Sequence, residues 1–139
     1  MSIRLVSLIS LLALAGLEGC GKTGPVIAPV SGTVSLDGAR LTSGVVSFAS
    51  SSGSVSSANL GPEGRFRLVS QYGNGIPLGG YVVTVLPENS APREADMQSN
   101  QPQRASKIPT RYQYCERSGL TAEVKPGENE FQFALLTGN

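Results

Sequence analysis

The sequence predicts an all-β protein whose strands form a seven-stranded Greek-key β-sandwich, and three observations lead to this prediction. Apolar and polar residues alternate over short stretches, which is the pattern of half-buried strands. Glycine-containing turn signals such as Asp37-Gly38 and Pro62-Glu63-Gly64 separate these stretches. Glycine (17) and proline (9) are abundant while only 15% of the residues are charged, and no segment after residue 20 has a helical period.

The N-terminal residues have the pattern of a signal peptide, which we expect to form a helix. Arg4 supplies a positive charge, and residues 5–17 carry no charge. A membrane-spanning helix needs about 20 apolar residues, so this stretch is too short to span a bilayer. The N-terminus therefore predicts export of the protein.

The run Leu17-Glu18-Gly19-Cys20 resembles a bacterial lipobox, in which a small residue precedes a cysteine. The resemblance implies that residues 1–19 are removed as a lipoprotein signal peptide and that Cys20 carries the lipid. Two or more acyl chains hold a protein stably at a membrane. The alternative is an ordinary secreted protein that is cut near Ala15 or Gly16 and keeps Cys20 as a plain thiol.

Residues 20–29 are expected to form a flexible tether between the membrane and the domain, because small residues and proline are frequent there. Gly21 and Lys22 follow the lipidated cysteine, and neither is the aspartate that commonly retains lipoproteins in the inner membrane. We therefore expect an extracytoplasmic protein that is anchored in the outer membrane rather than the inner one.

The alternation begins in residues 30–36, where Val30, Gly32 and Val34 share one face of a predicted strand. It continues along the chain and predicts further strands at residues 44–48, 65–69, 79–85, 120–124 and 129–135. Residues 50–57 are almost all Ser and Gly, which predicts a hairpin tip or a weak edge.

The side chains that point inward in these strands predict the core. In the strand at 65–69, Phe66 and Leu68 face inward while Arg65 and Arg67 face water. The predicted core consists of Val34, Phe48, Phe66, Leu68, Tyr81, Val83, Val85, Leu120, Val124, Phe131 and Phe133. Burying a large apolar side chain contributes about 1.5–3 kcal/mol, so this set can stabilise a domain without a disulfide.

Several of these segments also resemble a known family. Residues 30–41 resemble the opening V-x-G-x-V-x-x-D-G-x-x-L of carboxypeptidase regulatory-like domains, which are also called transthyretin-like or prealbumin-like. Residues 63–66 resemble the family's D-G-x-F turn, and residues 78–85 resemble its P-G-x-Y-x-V-x-V strand. The resemblance covers residues 30–136 and implies a seven-stranded sandwich with a structural or accessory role and no catalytic residues of its own.

The end of the chain adds a more particular likeness. Residues 108–112, 118–121 and 124–129 are similar to a group of small bacterial lipoproteins of this fold. This similarity agrees with the lipobox, since both imply a lipid-anchored protein of the cell envelope.

Residue counts exclude several function classes. The chain has no histidine, so neither a Ser-His-Asp triad nor a histidine zinc site can be built, and we expect no metal and no cofactor. The net charge of +1 gives no basic excess for nucleic acid. With Cys20 lipidated, Cys115 is the one remaining thiol; we expect it to be buried and inert, the alternative being an intermolecular disulfide.

The long segment at 87–119, expected to lack regular structure, is the best candidate for a functional region, because loops of this length are usually functional or disordered. Its first part, residues 88–106, is polar and rich in Pro, Gln and Ser, which favours disorder. Its second part brings together aromatic and guanidinium groups that are common in interfaces. The candidate interaction residues are Arg111, Tyr112, Tyr114 and Arg117.

An alternative for this second part is structural, and we favour it. Ile108, Pro109 and Tyr112 would then fix the segment to the sandwich. The carboxylates offer no catalytic pair, because those at 88, 94, 96 and 116 lie in the long segment and those at 123, 128 and 130 lie at outward or turn positions.

Taken together, these observations predict a non-catalytic, lipid-anchored protein of the cell envelope that serves as a structural or protein-interaction module. Its expected partners are the membrane, through Cys20, and an envelope protein or polysaccharide. The alternative is a surface module that binds carbohydrate or a small ligand. An enzyme is not expected.

Overall fold

The computed structural model describes residue 21, residues 24–88 and residues 107–138. The predicted signal peptide with its helix and the lipid attachment residue Cys20 lie outside the described residues. So do residues 89–106, which form nearly all of the stretch that the sequence predicts to be disordered.

The described residues are built almost entirely from β-strands, so the all-β prediction is confirmed. The strands in chain order are β1 (Ile27–Ala28), β2 (Val30–Leu36), β3 (Ala39–Arg40), β4 (Val45–Ser50), β5 (Val55–Asn59), β6 (Arg65–Arg67), β7 (Ile76–Pro77), β8 (Gly79–Leu86), β9 (Leu120–Val124) and β10 (Asn129–Leu135). A 3₁₀ helix at Thr110–Gln113 and a short α-helix, α1 (Cys115–Ser118), precede β9.

Two four-stranded sheets carry the architecture. In the first sheet β5, β4, β8 and β9 lie in that order, and every neighbouring pair is antiparallel. The second sheet is organised around β2, which pairs with β10 on one edge and with β3 and β6 on the other. The β2–β10 pair is parallel and runs from Val30↔Asn129 to Leu36↔Leu135.

A third, two-stranded pairing joins the start of the domain to its middle. β1 pairs antiparallel with β7, with Ile27 opposite Pro77 and Ala28 opposite Ile76. Residues 27 and 28 lie in the range that the sequence predicts as a flexible tether, yet they form a strand and Ala28 is buried. The folded part of the chain therefore begins before residue 30.

One shared apolar core packs the two large sheets against each other, which gives a sandwich-like arrangement. All but two of the predicted core residues are buried; Leu120 and Phe131 are half-buried. Leu120 lies on β9 and Phe131 on β10; both are edge strands, which have a neighbouring strand on one side only. The core also contains buried side chains outside the predicted core set. Val30, Val46, Ala122 and Leu135 lie on the inward faces that the alternation predicts, and the remaining ones are Ala28, Leu41, Leu60, Ile76, Ile108 and Tyr112.

The Phe48 ring is the centre of this core and has no exposed surface. Its centroid lies 5.9–6.0 Å from the ring centroids of Phe66, Tyr81, Phe131 and Phe133. Because Phe48 and Tyr81 belong to the first sheet and the other three rings to the second, this aromatic cluster joins the two sheets. Tilted ring pairs at this separation add stability beyond the area that they bury.

Gly32 shows why the second sheet needs a glycine in β2. A Cβ at this position would overlap the carbonyl oxygen of Phe131 and the ring of Phe66. The absence of a side chain therefore lets β2 lie close to β10 and leaves room for the aromatic cluster.

Residues 50–57 form the predicted hairpin tip together with an edge strand. The tip lies at residues 51–54, and β5 pairs with β4 at the edge of the first sheet. The prediction that residues 87–119 lack regular structure is wrong at residues 110–118, where two four-residue helical segments occur. Segments this short cannot produce a periodic pattern of apolar residues.

We predict that Phe48→Ala destabilises the domain by about 3–5 kcal/mol, because it leaves a cavity among four aromatic rings. Chemical denaturation of the two proteins measures the difference. Val55→Ala is the matched control on the same hairpin; its side chain is 63% exposed, and we expect a change of less than about 0.5 kcal/mol. A Phe48→Ala protein as stable as the control would contradict the central role of this ring.

Candidate functional site

The segment that the sequence singles out at residues 107–119 is attached to the sandwich. Ile108 and Tyr112 are buried in the common core, and Pro109 is half-buried. The Gln113 side chain donates a hydrogen bond to the Ile108 carbonyl oxygen at 3.1 Å, which closes the 3₁₀ turn. The structural alternative for Ile108 and Tyr112 is thus observed directly.

Arg111 and Tyr112 form a clasp with Leu136, just beyond the end of β10. The Arg111 guanidinium lies over the Tyr112 ring, 4.8 Å from its centroid, and Nη2 donates to the Tyr112 hydroxyl at 3.0 Å and to the Leu136 carbonyl oxygen. The same hydroxyl accepts a hydrogen bond from the Leu136 amide at 3.1 Å. Two of the four candidate interaction residues are therefore used to hold the end of β10.

The other two candidates, Tyr114 and Arg117, are exposed and take no part in the side-chain hydrogen bonds of the clasp. Because Tyr112 is buried, the four candidates do not form one exposed surface cluster. Cys115, the first residue of α1, is a free and exposed cysteine, so the prediction that it is buried is wrong. Because Ser118 is the buried residue of this four-residue helix, the helix turns its other side chains toward solvent.

A second contact, between Asp37 and Thr137, holds the same end of β10. The Thr137 amide donates to Asp37 Oδ1 at 2.9 Å, and the Thr137 hydroxyl donates to Oδ2 at 2.6 Å. Asp37 occupies the β2–β3 turn with a φ of 50°, a left-handed conformation that Asp and Asn tolerate. The Thr137 side-chain hydrogen bond, followed by the backbone one, holds the pKa of Asp37 below its ordinary value.

The outer face of the second sheet is a second candidate surface, and none of the candidate interaction residues predicted from the sequence lies on it. Val30, Gly32 and Val34 are buried, so the intervening residues of β2 point away from the core. These residues are Ser31, Thr33 and Ser35, which form a row of hydroxyl groups along the middle of the sheet.

Three arginines lie beside this hydroxyl row on one side. The register sets Arg67 opposite Ser31 and Arg65 opposite Thr33 through β6, and Arg40 opposite Ser35 through β3. β10 occupies the other edge of β2 over its whole length, so β3 and β6 share the remaining edge. The three arginines therefore form a single column, which we call the arginine column.

The third row of the outer face comes from β10. Glu130 pairs with Ser31, Gln132 with Thr33 and Ala134 with Ser35, and all three β10 residues are exposed. An open groove of about 770 Å³ runs over the outer face between this row and the arginine column. No aromatic side chain points outward from the three rows.

Glu63 connects two members of the arginine column. Its Oε2 lies 3.5 Å from Arg40 Nη1 and 3.3 Å from Arg65 Nε. These side chains are more than half exposed, so the pairs are solvated and contribute little to stability. Among the residues described, Arg67 has no carboxylate within 4.0 Å.

The alternation in the sequence could reveal part of this surface but not its assembly. It shows that Arg65 and Arg67 face water and that Ser31, Thr33 and Ser35 share the outward side of their strand. It carries no information on which strands are neighbours, and Arg40 lies next to a turn where no alternation is visible.

Within the described residues, no group of three or more Cys, Asp or Glu side chains is arranged to hold a metal ion.

None of the helices that the structure describes is long and apolar enough to cross a membrane.

Comparisons of the chain with protein-family models, with curated proteins and with solved structures each found no match.

We predict that Tyr112→Phe destabilises the domain by about 1 kcal/mol, because the Leu136 amide and Arg111 lose their acceptor. The effect should be concentrated at the end of β10, where faster amide hydrogen exchange at Leu136 would detect it. Tyr114→Phe is the control, since it removes the hydroxyl of a side chain that is 53% exposed. Equal exchange rates at Leu136 in both variants would contradict the clasp.

We predict that Asp37→Asn lowers stability at neutral pH and that this deficit disappears in acid. The pKa of Asp37 is lower in the folded protein than its ordinary value of 3.8, so the carboxylate stabilises the fold above that value. The contribution is lost as the pH falls through the folded pKa. Thermal unfolding at about pH 7 and about pH 2 checks both parts of the prediction.

Asparagine is the informative replacement for Asp37, because it keeps the left-handed turn and one acceptor oxygen, while it removes the charge and replaces the second oxygen with an NH2 donor. Glu128→Gln, in the exposed β9–β10 turn, serves as the control carboxylate. If the Asp37→Asn deficit stayed constant with pH, the hydrogen bonds to Thr137 would not depend on the charge of Asp37.

Proposed function

We propose that this chain is a lipid-anchored, non-catalytic module of the bacterial cell envelope, with a structural or protein-interaction role. The observation that carries the proposal is the short chain length between the lipobox cysteine and the folded domain. Gly24 already lies against the Tyr72 ring: a Cβ added to Gly24 would lie 3.4 Å from Tyr72 Cδ1. Cys20 is four residues before Gly24.

This spacing limits the distance between the domain and the membrane. Four extended residues span at most about 14 Å, so an acylated Cys20 would hold the Gly24 end of the domain close to the lipid headgroups. Val26 is 70% exposed and Tyr72 is 49% exposed at that end. Tyrosine suits such a boundary, because its ring is apolar and its hydroxyl remains hydrated.

We also propose that the domain is a seven-stranded Greek-key sandwich of the carboxypeptidase regulatory-like, or transthyretin-like, type. The motifs in residues 30–41, 63–66 and 78–85 support this assignment. A second support is that seven of the strands in the described residues contain three or more residues, the other three being two-residue pairings.

The proposed location is outside the cytoplasm, in the outer membrane in preference to the inner, because Gly21 and Lys22 follow the lipidated cysteine. The proposed partner in this setting is another component of the envelope. The absence of histidine from the whole sequence supports a role without catalysis.

A second candidate function, the binding of carbohydrate or a small ligand, is favoured by one specific feature. The outer face of the second sheet carries a groove lined by hydroxyl, amide and guanidinium groups. Such groups can hydrogen-bond a polar ligand, whereas an apolar protein surface would leave them without partners.

We predict that the full chain expressed in a bacterium with lipoprotein processing enters the detergent phase and that Cys20→Ala does not. Intact mass should show acylation at Cys20 and loss of residues 1–19, because two or more acyl chains hold the protein at the membrane. Detergent-phase partition and mass spectrometry measure the two properties independently.

Cys115→Ala is the matched control, since it removes the second cysteine of the chain. It should partition as the wild type does. Cleavage near residue 15 or 16 with an unmodified Cys20 would contradict the anchor and identify a secreted sandwich.

A further inference from the structure

We propose that the outer face of the second sheet binds an acidic polysaccharide, a sugar chain that carries carboxylates along one side and hydroxyl groups along the other. The proposal deepens the ligand-binding form of the function proposed above by naming the surface and the ligand class. It rests on the arrangement of three rows of side chains, each contributed by different strands.

The arginine column supplies three cations in a regular line. Arg67, Arg65 and Arg40 lie opposite positions 31, 33 and 35 of β2, so successive members are two residues apart along the strand. At about 3.3 Å per residue, the backbone spacing between them is about 6.6 Å. A guanidinium group binds a carboxylate by donating two parallel hydrogen bonds, so the column offers three successive binding positions for carboxylates.

Glu63 holds two of these guanidinium groups without burying them. Its carboxylate contacts Arg40 and Arg65, and each side chain keeps at least 62% of its surface exposed. A ligand carboxylate can therefore reach the remaining donors of both arginines, since each guanidinium has five N–H groups and Glu63 faces one nitrogen of each. Within the described residues Arg67 has no ion-pair partner, so its donors need not be released first.

The other two rows distinguish a sugar chain from other anions. The hydroxyl groups of Ser31, Thr33 and Ser35 both donate and accept hydrogen bonds, as sugar hydroxyls do. Glu130 and Gln132 border the groove on the side opposite the arginines. The Glu130 carboxylate is an acceptor for sugar hydroxyls and repels an anion, so the ligand must present charge on one side only.

Nucleic acid and peptide ligands fit this surface less well. The three outward rows contain no aromatic ring on which a base could stack. On the β10 side of the groove, the Glu130 carboxylate repels the phosphates of a nucleic acid. A peptide that adds a strand needs an unpaired backbone edge, whereas β2 is paired on both of its edges. The groove is a surface feature rather than an enclosed cavity, so a ligand longer than the groove can lie in it.

The test uses the purified full chain in detergent and a linear oligogalacturonate, which carries one carboxylate on each sugar, as the probe. Isothermal titration should detect binding at about 0.01 M salt and a large loss at about 1 M, where the Debye length falls from about 30 Å to about 3 Å. The methyl-esterified oligomer is the matched ligand control, because it keeps the sugar chain and lacks the charge; it should bind at least about tenfold more weakly.

Two variants test the surface. Arg67→Gln removes an exposed cation that has no ion pair within the described residues, and we expect it to weaken binding. The triple variant combines Arg67→Gln with Arg40→Gln and Arg65→Gln and so removes the whole arginine column; we expect it to lose at least about tenfold in affinity. Lys125→Gln, in the exposed β9–β10 turn, makes the same single charge change as Arg67→Gln away from the groove and should bind as the wild type does. Thermal unfolding of each variant verifies that it is folded.

Three results would overturn the assignment: no binding of the oligogalacturonate by the wild type, equal binding of its esterified form, or a loss with Lys125→Gln that equals the loss with Arg67→Gln. Tighter binding of polyphosphate or of single-stranded DNA than of the oligogalacturonate would likewise overturn it in favour of a phosphate ligand. The measurement is made in solution and does not depend on Cys20. A failed anchor therefore leaves binding measurable, and absent binding leaves the anchor proposal standing.

Discussion

The pairing of β2 on both edges is the constraint on which the rest of the structure depends. Its register with the parallel strand β10 and with the antiparallel strands β3 and β6 determines which side chains of the second sheet face the core and which face the groove. Gly32 permits the close approach of β10, since a Cβ would overlap the carbonyl oxygen of Phe131. A shift of one residue in this register would exchange the core side chains of a strand for its polar ones. The core and the groove are therefore two consequences of one register.

The clasp at the end of β10 supports that register from outside the sheet. Tyr112 binds the Leu136 amide, and Asp37 binds the amide and hydroxyl of Thr137. Asp37 lies in the turn that directly follows β2, so its contacts join the ends of the two parallel strands. Polar groups at an exposed end thereby resist the fraying to which terminal strands are prone.

Local alternation was sufficient to predict six of the longer strands and most of the core, because a half-buried strand must alternate. β5 escaped a firm prediction since it contains Ser, Ala and Asn, with Val55 exposed. The prediction that Cys115 is buried is wrong because it rests on the cysteine count alone, and a four-residue helix gives no periodic signal of which side chains face solvent. Arg111 and Tyr112 have the chemistry of an interface, yet their contacts are internal. The arginine column could not be predicted, because Arg40 and Arg67 become neighbours of β2 only through strand order.

The most direct test of this account is the register of the second sheet, measured by nuclear Overhauser effects on the isotopically labelled chain. The account predicts backbone contacts that pair Gly32 with Phe66 across the antiparallel edge and with Phe131 across the parallel edge. That register sets all three arginines on the outward side. Contacts that pair Phe66 with Ser31 or Thr33 would contradict it, because Arg65 and Arg67 would then point toward the core and the groove would lose two of its three arginines.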